Sequence, residues 1–98
     1  MRFFDWSIKK NEELKSDRNV SFEDVVFSIV HDGLLDIVEH PNKQKYPDQR
    51  VFIVKIEEYA YLVPFVEEES VIFLKTIIPS RKMTKKYLGE ETSENKKG

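Results

Sequence analysis

Three β-rich runs, 51–56, 59–66 and 71–78, follow one another with only Glu57-Glu58 and the stretch from Glu67 to Ser70 between them. Each is rich in Val, Ile, Phe and Tyr, residues that suit a pleated, half-buried surface. Separations this short are hairpin lengths, so neighbouring runs turn back on one another as a three-strand antiparallel meander. Pro64 lies inside the middle run and has no N–H to offer a neighbour, which points to an edge or a bulge there. The rest of the chain has to fit against this sheet.

What precedes the sheet reads differently. Residues 2–6 are aromatic-rich and suit a short strand. Ser7 then offers a helix cap, and 8–17 contains no Gly or Pro and is rich in Lys, Glu and Leu. Only Ile8 and Leu14 form its apolar stripe, so this helix belongs on the surface. Asn19 follows at a left-handed stop position. Ser21, with Asp24 three residues on, resembles a capping box. Phe22, Val25, Val26, Ile29 and Val30 then recur at the spacing of one buried helix face, and Asp32-Gly33 ends it. A short strand over 34–38 and a polar loop over 40–49, with Pro41 and Pro47, lead into the meander. Beyond Pro79, Ser80 can cap a short helix over 81–88. The expected fold is α+β: two N-terminal helices and a short C-terminal helix packed on an antiparallel sheet. The chain of 98 residues makes a single domain over 1–88, with a polar, disordered tail over 89–98.

Composition excludes several classes. There is no cysteine, so disulfide scaffolds, cysteine-ligated zinc and cysteine nucleophiles are out. His31 and His40 are the two histidines, neither with an acidic or Ser partner at informative spacing. Glu67-Glu68-Glu69 are consecutive, unlike the spaced ligands of a divalent-cation loop, so no metal and no cofactor is expected. The N-terminus lacks the apolar core of a signal peptide, and the apolar runs are too short to span a bilayer, which makes the cytoplasm the default location and a membrane partner unexpected.

The formal charge of −2 argues against a plainly basic nucleic-acid binder, but that charge is unevenly spread. Residues 21–42 contain five acidic side chains and no Lys or Arg. Residues 79–88 contain four basic side chains and no acidic one: Arg81, Lys82, Lys85 and Lys86. On a helix these four share one face, leaving Met83 and Tyr87 to dock on the sheet. Such a face can meet several phosphates, and it is equally the pattern of a solvated helix surface.

An ordered set of short motifs carries a resemblance. Trp6, Lys10 and the run Val20-Ser21-Phe22-Glu23-Asp24 resemble the opening of the BrnT family of toxins, which reads Trp, Lys four residues later, then a Val-Ser-Phe-Glu-Glu helix start. Gln49-Arg50 before a strand is similar to its Glu-Arg. Ile77-Ile78-Pro79-Ser80-Arg81-Lys82-Met83-Thr84 is similar to its Ile-Ile-Ser-Ala-Arg-Arg/Lys-Ala-Thr, followed by a basic helix ending in Tyr. The match runs over about residues 3–88. Leu14 stands where the family usually has Asn, Arg18-Asn19 where it has His-Gly, and Thr76 where it often has a basic residue.

The resemblance implies a RelE-like fold and the toxin of a type II toxin–antitoxin module, a metal-independent endoribonuclease that cleaves mRNA. It further implies a cognate DNA-binding antitoxin of ribbon-helix-helix type, with operator DNA met only through that antitoxin. RNA cleavage through the 2′-hydroxyl needs a base, cationic donors for the phosphorane and an acid for the leaving oxygen. Arg50 and Arg81 are the candidate phosphate and transition-state clamps, since a guanidinium is planar and always charged. Tyr87 is the third candidate catalytic residue, as a proton donor or a stacking surface, or else it packs the last helix on the sheet. Lys10, Lys82, Lys85 and Lys86 are the candidate RNA-backbone contacts. The alternative from another class is a catalytically weak or inactive protein-binding module of the same fold.

Overall fold

The computed structural model describes residues 2–89. Its elements run β1 (Phe3–Trp6), α1 (Ile8–Arg18), α2 (Phe22–Val30), β2 (Leu34–Glu39), β3 (Arg50–Ile56), β4 (Tyr59–Glu68), β5 (Val71–Leu74), β6 (Ile78–Pro79) and α3 (Arg81–Leu88). The α+β class and the placing of the helices agree with the sequence. The expected tail lies outside the described residues apart from Gly89.

The sheet itself is mixed rather than purely antiparallel. Its strand order is β1-β5-β4-β3-β2, with β6 also pairing to β4. β2 to β5 form the antiparallel meander. β1 pairs with β5 in parallel, Phe3 opposite Val71 through Trp6 opposite Leu74. The helices carry the chain from β1 to the far edge of the sheet, and the meander returns it to β1 running the same way. A local reading of separations shows hairpins but carries nothing about that return.

The run 71–78 is also broken in two, and Pro64 explains where. The Lys75 N–H donates to the Pro64 carbonyl at 2.8 Å. In a strand the N and C=O of one residue face the same side, so the Pro64 nitrogen also faces β5. Pairing with β5 ends at Phe65 opposite Leu74, and pairing with β6 begins at Leu62 opposite Ile78. The missing N–H therefore falls in the gap between two partners. Pro64 sits in a central strand, opposite Val51 of β3, not on an edge.

Alternation along the strands divides the packing. Phe52, Val54, Val63, Phe65, Ile72 and Leu74 face one side and form the main core with Leu14, Phe22 and Val25 of α1 and α2. Val51, Ile53 and Ala60 are buried on the opposite face, where α3 lies. The helix starts are fixed as expected. Ser7 accepts from the Lys10 N–H, Ser21 and Asp24 close a capping box, and Asn19 stops α1 in the left-handed region at φ 57°.

Two details of the helices differ from the expected faces. On α1 the buried residues are Asn11 and Leu14, while Ile8 is exposed. The Asn11 side chain accepts from the Phe22 N–H and donates to Glu23, both at 2.8 Å, so it joins α1 to the start of α2. On α2, Val30 is exposed and Ser28 is buried. Val30 stands five residues past Val25, about 140° round the helix and away from the sheet.

Candidate nucleic-acid interface

The basic helix is anchored at its first turn. The Ser80 N–H donates to the Ala60 carbonyl at 3.0 Å, and the Ser80 hydroxyl caps α3 by accepting from the Met83 N–H. One turn on, the Thr84 hydroxyl accepts from the Ala60 N–H and donates to the Ser80 carbonyl, both at 2.8 Å. These bonds tie α3 to the first residues of β4 and set which side of the helix meets the sheet. Met83, Thr84, Tyr87 and Leu88 are half-buried; Arg81, Lys82, Lys85 and Lys86 are exposed. Among the described residues none of these four cations has a carboxylate within 4.0 Å.

The charge distribution along α3 is unusual for its stability. Lys85 and Lys86 in the last turn complement the helix dipole. Arg81 and Lys82 open the helix, where the dipole is already positive, and the first turn holds no acidic residue. Cations at that end cost stability and raise the local positive potential, a combination relieved by an anion.

Tyr87 extends the site to the edge strand. Its hydroxyl donates to Asp36 Oδ2 at 2.5 Å. Donating to a carboxylate holds the Tyr87 hydroxyl above its ordinary pKa. The same bond, the Ile37 N–H and the charge of Lys86 hold Asp36 below the usual carboxylate range. Tyr87 is thus a persistent hydrogen-bond donor, and Asp36 a persistent anion beside a basic helix. Sequence reasoning missed Asp36. The available signal was an Asp in the middle of a short apolar strand, where that residue is disfavoured.

Arg50 stands elsewhere. It opens β3 on the Phe52 face, ion-paired to Glu67, which also holds Arg2. Its guanidinium lies 5.4 Å from the centre of the Phe65 ring. α3 begins beside Ala60, whose partner Lys55 lies five residues along β3 from Arg50. At the rise of a strand that is about 17 Å, and on the opposite face of the sheet. Lys10 is on α1, also across the sheet from α3. The structure therefore brings Arg81, Lys82, Lys85, Lys86 and Tyr87 together and keeps Arg50 and Lys10 apart from them.

A concavity of about 560 Å³ lies between α2 and the β3–β4 turn. Phe27 and His31 stack there at 4.0 Å, and Asp24, Asp32, Glu57 and Glu58 line it against Arg18 and Lys55. Burial and the nearby Glu57 charge hold the Tyr61 hydroxyl above its ordinary pKa. Its acidic excess sets it apart from a phosphate site. Among the described residues no three His, Asp or Glu side chains gather as metal ligands, and no helix is long and apolar enough to cross a membrane. In comparisons with known proteins, no family model, curated protein or solved structure matches the chain.

Proposed function

We propose that this chain acts on RNA in the cytoplasm as the toxin half of a type II toxin–antitoxin pair, with α3 as its phosphate-contacting surface. The observation that carries the reading is the row of four exposed cations on α3 with no carboxylate partner among the described residues, two of them at the helix end where the dipole disfavours them. The order of two helices, meander and basic C-terminal helix agrees with what the sequence resemblance implies. In this reading Arg81 clamps a phosphate and stabilises the phosphorane, while Lys82, Lys85 and Lys86 hold the flanking backbone. Tyr87, whose one hydroxyl hydrogen is held by Asp36 in the free protein, gives up that bond to donate the hydrogen to the departing 5′-oxygen. The reaction uses no metal or cofactor, and a ribbon-helix-helix antitoxin neutralises the protein and carries the pair to operator DNA.

A specific observation favours a second reading, a catalytically weak module that binds without cleaving. Arg50 is held by Glu67 and stands across the sheet from α3, so the two arginine clamps do not converge. One experiment separates the readings. Purified protein is incubated with messenger RNA, with and without a chelator, and binding to a fluorescent single-stranded RNA is measured in parallel. Binding with chelator-resistant cleavage, the cleavage lost and the binding weakened in Arg81→Ala, supports the toxin. Binding without cleavage supports the module. Absence of both removes RNA as the target.

A further inference from the structure

Among the described residues, the sheet face that carries α3 is covered only at one end. At the other end, β1 and β5 expose Phe3, at 59%, and Val71, beside the half-buried Phe73 of β5 and Val66 of β4. These positions share one face, because Phe3 is opposite Val71 and Val66 opposite Phe73. Val66, Val71 and Phe73 line a shallow cleft of about 740 Å³ whose charged lining is Asp5, Glu68 and Glu69. Among the described residues none of these three carboxylates has an ion-pair partner. Lys75, a cation of the same face, lies 5.4 Å from the centre of the Phe73 ring.

We infer that this apolar, acid-rimmed face docks an amphipathic helix of a partner protein that carries Lys or Arg beside its apolar stripe. Width and charge choose the occupant. The patch spans three strands, two inter-strand spacings of about 4.8 Å, which matches the ~10 Å diameter of a helix. The opposite face of the same sheet already buries its apolar residues under α1 and α2. The face sets three carboxylates against the cation of Lys75, so on balance it attracts a basic helix and repels an acidic one. The same charge repels nucleic acid, which keeps this surface separate from α3. The inference does not rest on the RNA reading.

The test uses a synthetic 18-residue helical peptide with Leu on one face and Lys on the other, and a matched peptide with Glu for Lys. Binding of each to the full chain is followed by fluorescence anisotropy and by amide chemical shifts. The Lys peptide is expected to bind, moving the amides of Phe3, Val71 and Phe73, and the Glu peptide is not. The pair Glu68→Lys/Glu69→Lys should weaken the Lys peptide about tenfold, since two rim attractions become repulsions. The pair Glu57→Lys/Glu58→Lys makes the same change in net charge elsewhere and should leave affinity within about twofold; circular dichroism checks that both variants fold. Equal loss in both pairs, loss in neither, shifts centred on Phe27, or equal binding of the two peptides overturns the inference. Binding of RNA is measured on the same variants: its failure in the native chain removes the RNA reading and leaves the peptide result standing.

Discussion

The Tyr87 hydroxyl and the Asp36 carboxylate meet at 2.5 Å across 51 residues of sequence, joining the last helix to an edge strand. Among the described residues α3 is otherwise hydrogen-bonded to the sheet through Ser80 and Thr84, so this bond fixes the far end of the basic face. Tyr87→Phe should leave the fold intact and release that end. The expected readout is faster amide exchange over Lys85–Leu88, with exchange in β3 and β4 unchanged.

The same pair makes a pH prediction. Asp36 has a lowered pKa in the folded state, so its contribution is present above the unfolded carboxylate value and is lost as pH falls through the folded one. Tyr87 has a raised pKa, so its contribution is present below the unfolded tyrosine value, about 10, and is lost as pH rises through the folded one. Protection of α3 should therefore persist across neutral pH and decline at both extremes. In Tyr87→Phe the alkaline limb should vanish.

Asn11 is the buried polar group on which the joint of α1 and α2 depends. Asn11→Ala leaves the buried Phe22 N–H without its acceptor, which costs about 1–3 kcal/mol. For a domain of this size the midpoint of thermal unfolding should fall by about 4–8 °C per kcal/mol. Asn11→Asp keeps the acceptor but sets a carboxylate against Glu23, so it should be less stable at neutral pH and partly rescued in acid.

Gly33 lies closely against Ser28 of α2. A Cβ there would lie 2.0 Å from the Ser28 hydroxyl oxygen and 2.8 Å from its carbonyl oxygen. The Ser28 hydroxyl donates to the Lys55 carbonyl, and the Lys55 N–H donates to the Gly33 carbonyl. Gly33→Ala should destabilise by about 1–3 kcal/mol, the range for overpacking a tight site. The double variant Ser28→Ala/Gly33→Ala should recover only part, because the backbone clash remains. Denaturant unfolding of the three variants gives the coupling.

Four residues other than glycine with positive φ, Asn19, Asp32, Glu57 and Glu58, line the cleft beside α2. Glu57 and Glu58 form the two-residue β3–β4 turn at φ 51° and 69°. Asn-Gly suits that turn far better, so Glu57→Asn/Glu58→Gly should stabilise the hairpin by about 1 kcal/mol in denaturant unfolding. Retention of glutamates there at a cost in strain would be tested by whether the stabilised variant loses any binding property.

Removal of single cations from α3 should act additively on RNA affinity. Each of Lys82→Ala, Lys85→Ala and Lys86→Ala should reduce the slope of log affinity against log salt by about 0.7, the value for one contact to a single strand. Lys10→Ala, across the sheet, should leave the slope unchanged.

Local rules made much of this fold legible. Ser7, Ser21 and Ser80 cap helices because a short hydroxyl beside a helical run has few other roles. The meander followed from separations too short for anything but turns. What escaped was set at long range. The parallel pairing of Phe3 with Val71 depends on where the meander ends, and Asn11 on an otherwise polar helix gives no sign that it is buried under α2. The basic face of α3 was readable because four cations at helical spacing need only one helix to gather them. Asp36 joins that site through tertiary packing, and Arg50 leaves it because strand alternation sends it to the other face.

The parallel ladder between β1 and β5 ties the first strand to one that is made almost last. As the chain grows from its N-terminus, Phe3–Trp6 has no strand to pair with until Val71–Leu74 has emerged, and α1 has no completed core to lie on. Closing that contact brings together ends separated by most of the chain, which makes folding slow for a domain so small. The N-terminal aromatics Phe4 and Trp6 thus remain open to chaperones or to premature association throughout synthesis, and the domain becomes self-contained only as its last third is added.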